Sequence, residues 1–232
     1  AIVRFKAKDQ DFYFLAWTTT PWTLPSNTGL CVNPDLDYAK VKAADGYTYV
    51  MACSLLDKVL GPLAKDGMPA YEILETYKGT DLVGIDYEPL YACAAEAAAK
   101  QHKRAHFVIA DGYVTADDGT GIVHIAPAFG EDDARVGREN GFPLIKFVDE
   151  KGVMTEETPF AGMRCKPTEK EMAAGAISAD PEVLKDLSAR KLLFDAPKFT
   201  HSYPHCWRCD TPLIYYARES WFIKMSAVKD DL

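Results

Sequence analysis

Asp11-Phe12-Tyr13-Phe14-Leu15-Ala16-Trp17 runs directly into Thr18-Thr19-Thr20-Pro21-Trp22-Thr23-Leu24-Pro25-Ser26-Asn27, and Thr28-Gly29-Leu30-Cys31-Val32 follows. The outer stretches have strand length and the aromatic and β-branched residues that suit a pleated surface. Between them Pro21 and Pro25 fix φ and remove two N–H donors, so the middle segment is expected to be stiff and non-helical. A strand, a rigid polar loop and a second strand make a β-rich opening.

The same pattern continues outward. Ala1–Phe5 alternates like a strand, and Tyr38–Ala43 and Tyr47–Cys53 follow, separated by Pro, Asn and Gly, as in a meander or barrel. Further strands are expected at Tyr71–Tyr77, Leu82–Ile85, His106–Ala110, Gly112–Ala116 and Gly121–Ile125, with a turn at Asp117-Asp118-Gly119 and a hairpin pairing Leu144–Val148 with Gly152–Met154. Helices are expected over Leu55–Leu60, capped by Ser54 and stopped by Gly61-Pro62, and over the Ala-rich Ala92–Arg104, whose basic end suits the helix dipole. Two more elements complete the helical set: Gly130–Asn140, and a pair within Thr168–Arg190 broken at Gly175. Strands gathered round a few helices, without regular βα alternation or internal repeat, give an α+β fold built on a β-barrel.

Bulk properties narrow the classes. A chain of 232 residues buries roughly 70–75% of its unfolded surface and needs no staples. No apolar run approaches the ~18 residues of a membrane span, which argues against a membrane partner. The first residues form a strand rather than a signal peptide, and the missing initiator Met suggests an excised fragment. Cys31, Cys53, Cys93 and Cys165 are scattered, three of them in apolar surroundings, which points to a reduced, cytoplasmic protein. A net charge of −8 excludes a general nucleic-acid binder and leaves room only for a grip on a few nucleotides.

Three motifs carry chemistry. The threonine segment Trp17–Asn27 can line a small polar pocket and orient a water or a ribose hydroxyl, though its composition equally suits a β-edge entering a turn. In Gly119-Thr120-Gly121-Ile122-Val123-His124-Ile125-Ala126-Pro127-Ala128-Phe129-Gly130-Glu131-Asp132-Asp133, a Gly-flanked strand delivers His124 and a turn opens a helix with three carboxylates. One of these acids is expected to cap the helix; a further one facing a pocket would hold an ammonium group. His124 by itself suits a structural role more readily than a catalytic one. Finally, His201-Ser202-Tyr203-Pro204-His205-Cys206-Trp207-Arg208-Cys209 holds a Cys-x-x-Cys pair, half of a four-ligand zinc site that His201, His205 or residues elsewhere would have to complete. No thioredoxin-like βαβ context supports a redox role. The chain has no G-x-S-x-G, P-loop or G-x-G-x-x-G.

Together the motifs resemble the editing insertion of class I aminoacyl-tRNA synthetases for branched aliphatic amino acids. Trp17–Asn27 is similar to the isoleucyl version, where valyl and leucyl relatives carry Thr-Thr-Arg-Pro; Gly119–Asp133 resembles the second editing motif, and His201–Lys224 the exit toward the catalytic domain. Pro167–Pro181 matches nothing in that pattern. Lys224-Met225-Ser226-Ala227 only echoes the Lys-Met-Ser-Lys-Ser signature, and no His-Ile-Gly-His tetrad accompanies it.

The resemblance implies an editing domain over 1–199 and a Cys/His-containing exit segment over 200–232. It implies post-transfer editing, the hydrolysis of the ester bond in mischarged valyl-tRNA for isoleucine, with the synthetic site elsewhere. Asp133 would bind the α-ammonium group, and His124 with Thr18, Thr19, Thr20 and Thr23 would shape the pocket. Thr19, Thr20 and Asn27 would contact the terminal adenosine or position the attacking water, with Trp22 and Gly121 completing the substrate-binding set. No cofactor is implied for editing; Cys206 and Cys209 would contribute to a structural Zn2+ in the full-length parent. The implied partners are the 3′ end of the aminoacylated tRNA and the rest of the parent synthetase in cis. Valine lacks one methylene of isoleucine, worth only ~1–3 kcal/mol in a pocket, a general figure that derives from this synthetase itself and not from these residues. The alternatives are an editing domain of valyl type and a non-catalytic zinc-stabilised interaction module.

Overall fold

A computed structural model describes residues 1–65, 67–198, 203–221 and 223–229. His201 and the expected boundary at 199/200 lie outside the described residues.

Strands β1 (Ile2–Lys6) and β2 (Tyr13–Trp17) form an antiparallel hairpin that places Val3 opposite Ala16 and Phe5 opposite Phe14. These side chains are fully buried or nearly so, hence the apolar run on both strands. The sheet forks along the other edge of β2. Its start pairs in parallel with β5 (Thr48–Ala52), and its last residue, Trp17, pairs with Val123 of β8 (Ile122–Ile125). The first arm runs β5, β4 (Asp37–Ala43), β6 (Tyr71–Lys78); the second runs β8, β3 (Gly29–Val32), β7 (Phe107–Ala110); β9 (Leu193–Asp195) adds to β1. The result is a mixed sheet curled into a half-barrel and flanked by helices, the expected α+β class.

The described residues also form seven short helices: α1 (Leu56–Leu60), α2 (Gly79–Leu82), α3 (Ala92–Lys100), α4 (Glu131–Glu139), α5 (Glu169–Ala173), α6 (Ala179–Ala189) and α7 (Met225–Val228). The main core gathers Phe5, Phe14, Leu15, Tyr38, Tyr49 and Tyr87 inside the curl; α6 seals it with Ala179, Val183 and Leu187 at helical spacing. A second cluster, with Cys31, Ile109, Ile125, Val136 and Phe142, lies between β3, β7, β8 and α4.

Several expected elements differ. Leu82 closes α2, whose first turn is fixed by Asp81 Oδ2 accepting from the Lys78 N–H at 2.9 Å before a strand can form. Gly112–Ala116 is a loop, because Asp111 turns the chain by accepting from the Tyr113 N–H at 3.0 Å. The 144–154 hairpin reduces to one Val148–Met154 bridge. Ser54 caps nothing; it sits inside a 3-10 turn, Cys53–Leu55, ahead of α1. Helix α3 stops at Lys100, since His102 turns to φ +51. Gly175 does break the Thr168–Arg190 pair, at φ +96 after α5.

Candidate active site

The fork at β2 decides where the threonines go. Because Trp17 pairs with Val123, the chain leaving β2 emerges beside β8, and the segments 18–27 and 119–133 meet although a hundred residues separate them. The loop is not the non-helical segment expected. Pro21–Ser26 forms a 3-10 helix with Pro21 in its first turn, where a missing N–H and a fixed φ are tolerated.

The hydroxyls are wired to one another. Thr18 Oγ1 accepts from the Thr20 N–H at 3.1 Å and lies 3.4 Å from Thr20 Oγ1; Thr20 Oγ1 lies 3.4 Å from Thr23 Oγ1. Thr23 donates its single proton to the Thr20 carbonyl at 2.8 Å, and its oxygen lies 2.9 Å from His124 Nε2. With that proton committed, Nε2 must carry the hydrogen and donate to Thr23, which leaves Nδ1 as a bare acceptor. Nδ1 is buried and meets no hydrogen-bond partner among the described residues. Burial pushes His124 down to about 4, so the ring is neutral at pH 7 and acts as a donor to Thr23 rather than as an acid.

Asn27 is spent on structure. Its amide donates to the carbonyls of Gly29 (2.8 Å) and Ile125 (3.4 Å), and its oxygen accepts from Tyr87 at 2.6 Å, all buried. Trp22 packs edge-on against Phe129 of the second motif, centroids 5.0 Å apart. Gly121 sits at φ +72, where a Cβ would lie 2.4 Å from that of Ala52, and its carbonyl accepts from Tyr38 at 2.7 Å. Both observations make Gly121 a backbone-packing position. Gly121→Ala should lower stability by about 2–4 kcal/mol, overpacking adding to left-handed strain, measured by denaturant unfolding.

Asp133 behaves differently from its neighbours. None of the three acids caps α4: its N-cap is Gly130, with no side-chain bond. Asp133 reaches back instead, and its Oδ2 accepts from the Ala126 N–H at 3.0 Å. Burial lifts its carboxyl to about 6 against the pull of that N–H, with the Asp132 charge adding to the rise. Asp132 is exposed and pairs with Arg135 at 3.5 Å. A partly buried acid with no ion-pair partner among the described residues suits an ammonium group, and Asp133 joins the threonines through the backbone of 124–126.

A cleft of about 230 Å3 opens on Thr18, Thr19, Pro21, Asp180, Leu184 and Pro197. A larger one, about 640 Å3, shares Trp17 and Pro197 with it and is walled by Lys58, Val59, Leu63 and Phe194. His124 and Asp133 line neither. Asp180 had no sequence signal: it lies in the unmatched 167–181 stretch and finds the loop only in space, accepting from the Trp22 N–H at 2.9 Å.

Cys206 and Cys209 share one tight turn, closed by Cys206 N to Thr211 O (2.9 Å) and Asp210 N to Cys206 O (2.8 Å). The Thr211 hydroxyl, with the Thr211 backbone and Cys206, draws the Cys209 thiol below its usual range. This suits two ligands of a tetrahedral zinc site, but the described residues contain no group of three donors, and His205 Nδ1 lies 3.0 Å from the Tyr203 carbonyl. The isolated chain should therefore bind clearly less than one equivalent of zinc by metal analysis. A full equivalent lost in Cys206→Ser would place a complete site locally.

No family model matches the chain. It is 43% identical over 231 residues to the isoleucine–tRNA ligase of Clostridium kluyveri, and 44% identical over 232 residues to that of Bacillus thuringiensis (strain Al Hakam). Each alignment covers 99% of this chain and 20% of the relative, so the chain spans about a fifth of the length of the curated relatives it matches. The crystal structure of GlLeuRS-CP1 superposes with a TM-score of 0.57 at 13% identity, covering 85% of this chain and 99% of that one, a likeness of fold.

Proposed function

Since the chain belongs to the isoleucine–tRNA ligase family as a segment of about a fifth of its relatives' length, we propose that it is the hydrolytic editing domain of such a ligase, acting on valyl-tRNA for isoleucine. The supporting observation is the meeting of two distant motifs, with His124 Nε2 at 2.9 Å from Thr23 Oγ1, while Asp133, an acid of raised pKa, is held on the Ala126 N–H two residues further along. The reaction needs no protein nucleophile. Water adds to the ester carbonyl carbon, the bond to the terminal ribose oxygen breaks, that oxygen takes a proton, and valine leaves. The linked hydroxyls of Thr18, Thr20 and Thr23 orient water and ribose, and Asp133 holds the α-ammonium group. The size filter is assigned to His124, which stands behind Thr23 and not on either open cleft: there the larger isoleucine is excluded by overpacking, a repulsion, where a synthetic site has only weaker attraction to work with.

Residues 1–199 are read as the editing body and 200–232 as the exit toward the rest of the parent, which acts in cis. No described helix is long and apolar enough to cross a membrane. A cytoplasmic location is part of the same proposal, since charged tRNA is the substrate it invokes. No cofactor takes part in this hydrolysis; the cysteine pair belongs to a structural zinc site that the parent completes.

Hydrolysis of threonyl-tRNA for valine separates the isoleucyl reading from the valyl one. The chain within its parent should release free valine from valyl-tRNA for isoleucine and leave the threonyl substrate essentially intact; the reverse preference would make it valyl in type. The isolated chain should be the slower catalyst, because a net charge of −8 gives little electrostatic grip on tRNA.

A further inference from the structure

The 3-10 helix at Pro21–Ser26 opens with a proline, so the first N–H it must satisfy from outside is that of Trp22; the Thr23 N–H already closes on Thr20 O at 3.0 Å. Thr20, the N-cap residue, makes no side-chain cap. The missing acceptor comes from 158 residues away: Asp180 Oδ1, on the first turn of α6, takes the Trp22 N–H at 2.9 Å. The other oxygen of Asp180 receives Lys166 Nζ at 2.5 Å, and the Lys166 ammonium lies 5.4 Å from the Tyr203 ring. The carboxylate also borders the cleft at Thr18 and Thr19. With one oxygen on a backbone N–H and the other on a lysine, it has no charge to spare for an incoming ammonium group.

We propose that Asp180 is the positioning residue of the threonine loop. It caps the 3-10 helix from another element, and so fixes where Thr20 and Thr23 stand relative to His124. Lys166 neutralises the carboxylate beside the cleft and takes no part in the cap itself. This rests on the deacylase reading of the same site.

The test uses full-length parent enzyme carrying Asp180→Ala, Asp180→Asn and Lys166→Met, with steady-state hydrolysis of valyl-tRNA for isoleucine. A loop displaced by about 1 Å loses on the order of a hundredfold in rate, so Asp180→Ala should lower kcat by at least about tenfold with KM within about twofold. Asp180→Asn keeps an oxygen for the Trp22 N–H and should recover to within about threefold of wild type, as should Lys166→Met, although both break the ion pair. A purely structural ion pair gives a different pattern, with Asn and Met as damaged as Ala. That pattern, an Asp180→Ala effect confined to KM, or an unimpaired Asp180→Ala in an active parent overturns the proposal alone. A wild-type parent that hydrolyses no mischarged tRNA overturns the deacylase reading, and this proposal with it. If Asp180→Ala fails to fold by circular dichroism, Asp180→Asn decides: an inactive Asn variant contradicts the capping role.

Discussion

Asp133→Asn should abolish hydrolysis of valyl-tRNA for isoleucine while leaving the domain at least as stable at pH 7 as the wild type. The two effects have opposite signs because burial holds the Asp133 carboxyl near 6, above its ordinary 3.8. A group whose folded pKa is raised binds its proton more tightly in the folded state. Its contribution to stability is fully present below about 3.8, declines as pH rises, and is gone above about 6. An amide never ionises and escapes that loss, and its oxygen still accepts from the Ala126 N–H, so the turn before α4 survives. The amide cannot pair with an ammonium group, and binding of the aminoacyl ester fails. Melts of the two proteins at pH 4 and 7.5 should show the difference moving in favour of Asp133→Asn at the higher pH. An Asp133→Asn that unfolds, or an Asp132→Ala that is the inactive one, would contradict the assignment.

His124→Ala should begin to hydrolyse correctly charged isoleucyl-tRNA. The imidazole is 5% exposed, and its Nε2–H is anchored on Thr23, so it cannot swing aside for a larger side chain. Relieving an overpacked contact is worth about 1–3 kcal/mol, which converts to roughly a fivefold to hundredfold gain on the isoleucyl ester. The cavity costs stability, about 2–5 kcal/mol, so the comparison belongs at low temperature with folding confirmed by circular dichroism. Thr23 keeps its bond to the Thr20 carbonyl, which limits the damage to the loop. A variant that loses activity on the valyl ester and gains none on the isoleucyl ester moves the size filter to Thr20 and Thr23.

Local pattern was legible wherever local pattern decided the outcome. The strands β2, β3 and β5 announce themselves because one or both faces are buried, α6 because its apolar residues recur at helical spacing, and α4 because three carboxylates in its first turn follow a Pro-Gly turn. The expectation failed where a side chain redirected the backbone: Asp111 turned Gly112–Ala116, and Asp81, accepting from the Lys78 N–H, wound Leu82 into a helix. Pro21 and Pro25 suggested an open loop because their effect on an α-helix is well defined, whereas a short 3-10 helix accommodates both. At the site, the residue types of the threonine segment and of His124 were readable, but their union was not, since it depends on Trp17 pairing with Val123. Asn27 and Gly121 carried a polar or loop-like signature and turned out to be committed to backbone and packing. Asp180 left no trace at all, because a cap supplied across 158 residues has no sequence spacing to recognise.

The central claim is that this fold removes valine from the isoleucine tRNA and spares isoleucine. The direct measurement is single-turnover hydrolysis by the full-length parent without ATP, so that the synthetic site cannot recharge the tRNA, with valyl- and isoleucyl-tRNA for isoleucine in parallel. The valyl ester should disappear at least about a hundredfold faster, the upper part of the roughly 10–200-fold range that one methylene is worth in a pocket. Equal rates on the two esters, or none above the spontaneous rate, would contradict it.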